Sequence, residues 1–72
     1  MKIETTLVTF TDNNMMASID TIFIGGKPYA VVEWDAEDNP VKTVPLDPTH
    51  LSPISRNNGA DYLYDLPITL PA

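Results

Sequence analysis

Between Thr21 and Asp35 two apolar runs flank a polar break. Ile22, Phe23 and Ile24 lead in, Gly25-Gly26-Lys27 interrupts, and Tyr29, Ala30, Val31, Val32 and Trp34 lead out. The flanks are β-branched and aromatic, types that suit a pleated and half-buried surface. Paired glycines adopt the positive φ of a primed hairpin turn at no steric cost. The pattern therefore predicts a β-hairpin. On its second arm, alternation places Ala30, Val32 and Trp34 on one face and Tyr29, Val31, Glu33 and Asp35 on the other. Charges begin on the second face, so the first is assigned to the core. On the first arm Ala17, Ile19 and Phe23 share a face, interrupted by Thr21, while Ile22 and Ile24 occupy the other. Both faces are partly apolar near the turn and call for cover from a strand, a loop or a second subunit. Pro28 has no N–H to donate and is expected at a bulge or an unpaired edge.

The rest of the chain reads as short strands separated by turn chemistry. Residues 2–10 alternate Ile3, Thr5, Leu7 and Thr9 with Glu4, Thr6, Val8 and Phe10. Neither set is wholly apolar, which suggests an edge strand. Asp12-Asn13-Asn14 marks a loop, with the next strand from about Ala17. Ala36 to Pro40 is a polar turn. Val41 to Leu46 is a strand with Val44 and Leu46 on one face and Val41 and Thr43 on the other, demoted toward an edge or short strand by Pro45. Asp47 is a cap and Pro48 suits a first helical position, which predicts a 3-10 or α turn near residues 48–51. Leu51 and Ile54 then point inward, and Pro53 stops continuation. Residues 55–59 are a loop by composition. Residues 61–70 end in a strand with Pro67 and Thr69 outward. The expected fold class is all-β and mainly antiparallel. It is a single small domain, a five-stranded meander whose short turn before the last strand resembles the architecture of SH3-like barrels.

Composition narrows what such a domain does. Seventy-two residues bury a smaller fraction of their surface than a larger domain does, and without cysteine neither a disulfide nor a thiolate metal site supports them. Stability must come from the apolar core or from association. Ten acids against four bases give a net charge of −6. That charge disfavours direct nucleic-acid binding and favours a protein partner with a basic surface. No stretch has the pattern of a secretory signal or the length of a membrane span, so no membrane association and a cytoplasmic setting are expected.

Candidate chemistry is sparse. Glu33, Asp35, Glu37 and Asp38 form an acidic run, but Pro40 stands where a calcium loop of the EF-hand type needs glycine. The run is either a patch for Lys and Arg of a partner or a solvated hairpin end. His50 lies near Asp47 and Ser52, but residues crowded into one turn cannot form a hydrolytic triad. With one histidine and no cysteine, no metal site is expected. Trp34, Tyr29, Tyr62 and Tyr64 would make a binding recess if they converged; otherwise Trp34 anchors the core and the tyrosines rim it. Gly25-Gly26 lacks the remaining features of a phosphate loop. No catalytic residues and no cofactor are assigned. The expectation is a non-enzymatic protein-interaction module, with a homodimer among its arrangements. In composition the chain also resembles small, cysteine-free, acidic proteins of mobile elements, many CRISPR inhibitors among them. That resemblance implies an inhibitor that occupies a nucleic-acid-binding surface of its target.

Overall fold

The structure, a computed structural model, describes residues 2–54 and 59–71. The loop expected at residues 55–58 lies outside the described residues. The chain forms β1 (Glu4–Phe10), β2 (Met16–Ile24), β3 (Lys27–Trp34), β4 (Pro40–Pro45), a 3-10 turn (Pro48–His50), β5 (Leu51–Pro53) and β6 (Tyr62–Ile68). These strands make one sheet in the order β4-β3-β2-β1-β6-β5. All neighbours are antiparallel except β1 and β6, which run parallel. The all-β, mainly antiparallel class holds. The five-stranded meander does not: the described residues form six strands, β1 takes the last long strand as a parallel neighbour, and the sheet is open rather than a closed barrel. Parallel pairing needs a long return connection, and here most of the chain intervenes.

The hairpin forms where expected. Gly25 and Gly26 have φ of 58° and 80°, and Ile24 pairs with Lys27 across them. A two-residue turn makes that first pair a hydrogen-bonded one, so Phe23–Pro28 is the non-hydrogen-bonded pair next to it. Pro28 is therefore tolerated inside a strand, fully buried, with its missing N–H directed away from β2. It sits neither at a bulge nor on an unpaired edge.

The core gathers Val8, Ala30, Leu46, Tyr64 and Ile68, with Phe10, Ile19, Val44 and Leu51 packed against it. Burying each large aliphatic side chain contributes about 1.5–3 kcal/mol. Strand β1, expected at an edge, is central. Its polar Thr6 is fully buried because the Thr21 hydroxyl donates to Thr6 Oγ1 at 2.7 Å. The same bond explains why Thr21 interrupts the apolar face of β2.

Of the expected core trio only Ala30 joins the core. Val32 and Trp34 are half-buried, whereas Val31, assigned outward, is buried. The pairing of β3 with β4 slips between Val31 and Glu33 and again between Glu33 and Trp34. The slips break the alternation beyond Val31; Val31 itself precedes them and is buried on the face opposite Ala30, which also buries Ile22. A third irregularity sets Tyr64, Asp65 and Leu66 of β6 against Val8 of β1. It leaves Leu66 exposed although Ile68 is buried.

The chain crosses from one sheet edge to the other through residues 46–50. Asp47 accepts the Thr49 N–H at 3.0 Å and Pro48 opens the 3-10 turn, as expected. The Asp47 N–H donates to the Tyr64 hydroxyl at 2.9 Å, tying the crossing to the core. Leu46 N–H donates to the Pro28 carbonyl.

Candidate functional site

The up-and-down course of β1, β2, β3 and β4 brings the turns at residues 11–15 and 35–39 to one end of the sheet. The Gly25-Gly26 turn lies at the other. The first end carries Asp12, Glu33, Asp35, Glu37 and Asp38, against Lys42 alone among the cations of the described residues. Glu33 is paired in register with Lys42 on β4 and is exposed. The acids do not act alike. Asp35 Oδ1 accepts the backbone N–H of Glu37 at 2.9 Å and of Asn39 at 2.8 Å, and Oδ2 faces the Asn39 amide at 3.3 Å. The Asn39 backbone N–H, followed by the Glu37 N–H and the Asn39 side chain, holds the Asp35 carboxyl below its usual range. Asp35 thus builds the turn, and Asp38 takes a positive φ of 61° within it. Glu33, Glu37 and Asp38 remain exposed.

The aromatic residues do not converge. Tyr64 is a core residue whose hydroxyl accepts the Asp47 N–H. Tyr62 lies against Phe23, ring centroids 5.8 Å apart. Tyr29 is half-buried and paired with Ile22. The Trp34 indole N–H donates to Asp20 Oδ2 at 2.9 Å. No recess is shared among them, and no pocket occurs among the described residues.

His50 is joined by an element that sequence spacing could not supply. Its Nδ1 lies 2.8 Å from Asp65 Oδ1 on the irregular part of β6, not at Ser52. The Thr49 hydroxyl, then the Thr49 N–H and the charge of His50, depress the Asp47 carboxyl. Among the described residues no cluster of three or more His, Cys, Asp or Glu is arranged to hold a metal ion. None of their helices is long and apolar enough to cross a membrane.

One feature of this end has no local signal in the sequence. The β2–β3 ladder stops at Asp20–Val31, although β2 continues to Met16 and β3 to Trp34. Beyond that point β2 is paired with β1 only, through Ile19, Ser18, Ala17 and Met16. Met15, Met16, Ala17 and Ser18 are all exposed. Comparison with known proteins finds no matching family model, no matching curated protein and no matching solved structure.

Proposed function

We propose that the chain is a non-enzymatic protein-binding module that meets a basic surface of its partner with its acidic end. The observation that carries this reading is the placement of Asp12, Glu33, Asp35, Glu37 and Asp38 at one end, with Lys42 as the only cation there among the described residues. Charges placed within a Debye length of about 8 Å add their fields, so such an end attracts Lys and Arg and repels phosphate. The turn built by Asp35 fixes where Glu37 and Asp38 stand, which limits the side-chain ordering lost on binding. The test is affinity capture from the native host with wild type and with E33K/E37K/D38K, keeping Asp35 because it shapes the turn. A basic protein retained by wild type and lost by the variant is expected. The same proteins on both would overturn the reading.

A more specific form is an inhibitor that covers a nucleic-acid-binding surface of its target. It is favoured by the same one-sided charge, which competes with a phosphate backbone. The captured protein should then lose its nucleic acid when this chain is added. A ternary complex would exclude that form. The exposed Phe23 and Ile24 beside the glycine turn favour a homodimer as a separate arrangement. Sedimentation showing a monomer at every concentration would remove it.

A further inference from the structure

The sheet protects its two outer edges. Strand β4 begins and ends in proline, at Pro40 and Pro45, and β5 has three residues and closes on Pro53. Proline cannot donate to an added strand, and a short edge gives little to pair with. The upper half of β2 carries no proline, although its free stretch, Met16 to Ser18, is as short as β5. Hydrogen bonds alternate along an antiparallel ladder. Phe10 N–H donates to Met15 C=O, and Ile24–Lys27 is the hydrogen-bonded pair of the hairpin, so odd positions of β2 face β1 and even positions face β3. Ser18 and Met16 therefore direct N–H and C=O toward β3. Past Asp20 the β2–β3 register ends, so Ser18 and Met16 have no ladder partner in β3. The β2–β3 ladder ends at Val31, the residue after which the β3–β4 register slips, and such irregularities bend a strand and terminate pairing.

We infer that this edge, Met16 to Ser18, is where an extended basic segment of a partner protein adds as a strand. The inference rests on the binding-module reading and specifies its mode. Strand addition supplies affinity through main-chain bonds and specificity through alternate side chains. The carboxylates beside the edge select the occupant: Asp20 on β2, Asp12 on the preceding turn, and Glu33, Glu37 and Asp38 across the opening. An incoming strand with Lys or Arg on alternate positions places cations against them. The exposed thioethers of Met15 and Met16 give adaptable apolar contact to its intervening residues. A second copy of this chain is disfavoured as occupant, because pairing Met16–Ser18 with itself would bring two acidic ends together.

The test uses the isotope-labelled full chain and a short peptide alternating Lys with Val and Thr. Saturable binding is expected, with slowed amide exchange at Ser18 and Met16. Ser18→Pro removes a donor on the free side and leaves the bonds to β1, so it should weaken binding about tenfold. A peptide N-methylated at alternate residues keeps the charge but cannot pair, and should bind as weakly. This arm holds whether or not Ser18→Pro folds. Equal binding by the methylated peptide would overturn strand addition and leave the acidic-end reading standing. A Glu-for-Lys peptide that bound as well as the basic one would overturn the inference through its choice of occupant. Protection of Ser18 rising with protein concentration alone would overturn it in favour of self-pairing. Failure of wild type both to bind the basic peptide and to capture a basic protein would sink the two readings together.

Discussion

The two halves of β2 belong to one strand and have opposite characters. Thr21 is paired on both sides, Ile22 to Ile24 are paired with β3 only, and Thr21 and Ile22 are buried completely. From Met16 to Ile19 it is paired only with β1, and Met16, Ala17 and Ser18 stand in solvent. Composition does not separate them, since Met16, Ala17 and Ile19 are as apolar as a core strand. What separates them is the neighbour. Strand β3 stays while its register with β4 is regular and departs where that register slips. An exposed strand segment here results from a distortion one strand away.

The comparison breaks most visibly at Ile22. Truncation to alanine should cost about 3 kcal/mol, because a fully enclosed aliphatic side chain leaves a cavity. Met16→Ala should stay within about 0.5 kcal/mol, as exposed substitutions do. Urea denaturation of both variants measures the contrast, and similar losses would contradict the division. The next effect is at Thr21. Thr21→Val strands the buried Thr6 hydroxyl and should cost about 2 kcal/mol, whereas Thr6→Val with Thr21→Val should regain most of it. A double-mutant cycle with no coupling would show that the hydroxyl pair does not hold the lower half together. Smaller again is Trp34→Phe, which deletes the indole bond to Asp20. About 1 kcal/mol or less is expected in so exposed a place. Its sharper signature is faster exchange of the amides pairing Asp20 with Val31, where the opening starts.

How far the sequence foretold this follows from which contacts are local. The Gly25-Gly26 turn and the Asp47-Pro48 cap were readable because each is decided within a few residues, by φ preference and by an oxygen placed over a free N–H. The outward Val41 and Thr43 and the inward Val44 and Leu46 followed from plain alternation. Trp34 was misassigned because a bulge carries no fixed residue signature and changes the parity of everything after it, whereas Val31 precedes the slips and is buried because the face opposite Ala30, which also buries Ile22, is covered too. Strand β1 was taken for an edge because Thr6 reads as polar, and its buried partner Thr21 is a long-range contact. The acids of the candidate site were visible as a run, but that Asp35 is occupied by the turn while Glu37 stays exposed is a matter of geometry. The open edge of β2 had no signal at all, since nothing in Met16-Ala17-Ser18 records that β3 leaves.

The mildest perturbation acts on the turn that holds the departing end of β3. Asp35 accepts the N–H groups of Glu37 and Asn39 more strongly as a carboxylate than as an acid, so its pKa lies below the unfolded value of about 3.9. A group depressed in the folded state adds stability that is fully present above its unfolded pKa and is lost as pH falls through the folded one. Acid should therefore loosen residues 35–39 before it disturbs the Gly25-Gly26 end, whose turn depends on glycine conformation and not on a carboxylate. Carboxyl carbon shifts of Asp35 should titrate below the ordinary range in the folded chain and return to it in urea. The Asn39 amide should exchange faster over the same pH interval, and Asp35→Asn should flatten both responses. An Asp35 midpoint at or above the unfolded value would mean that the turn is not carried by this carboxylate, and the bend of β3 would then rest on the register slips alone.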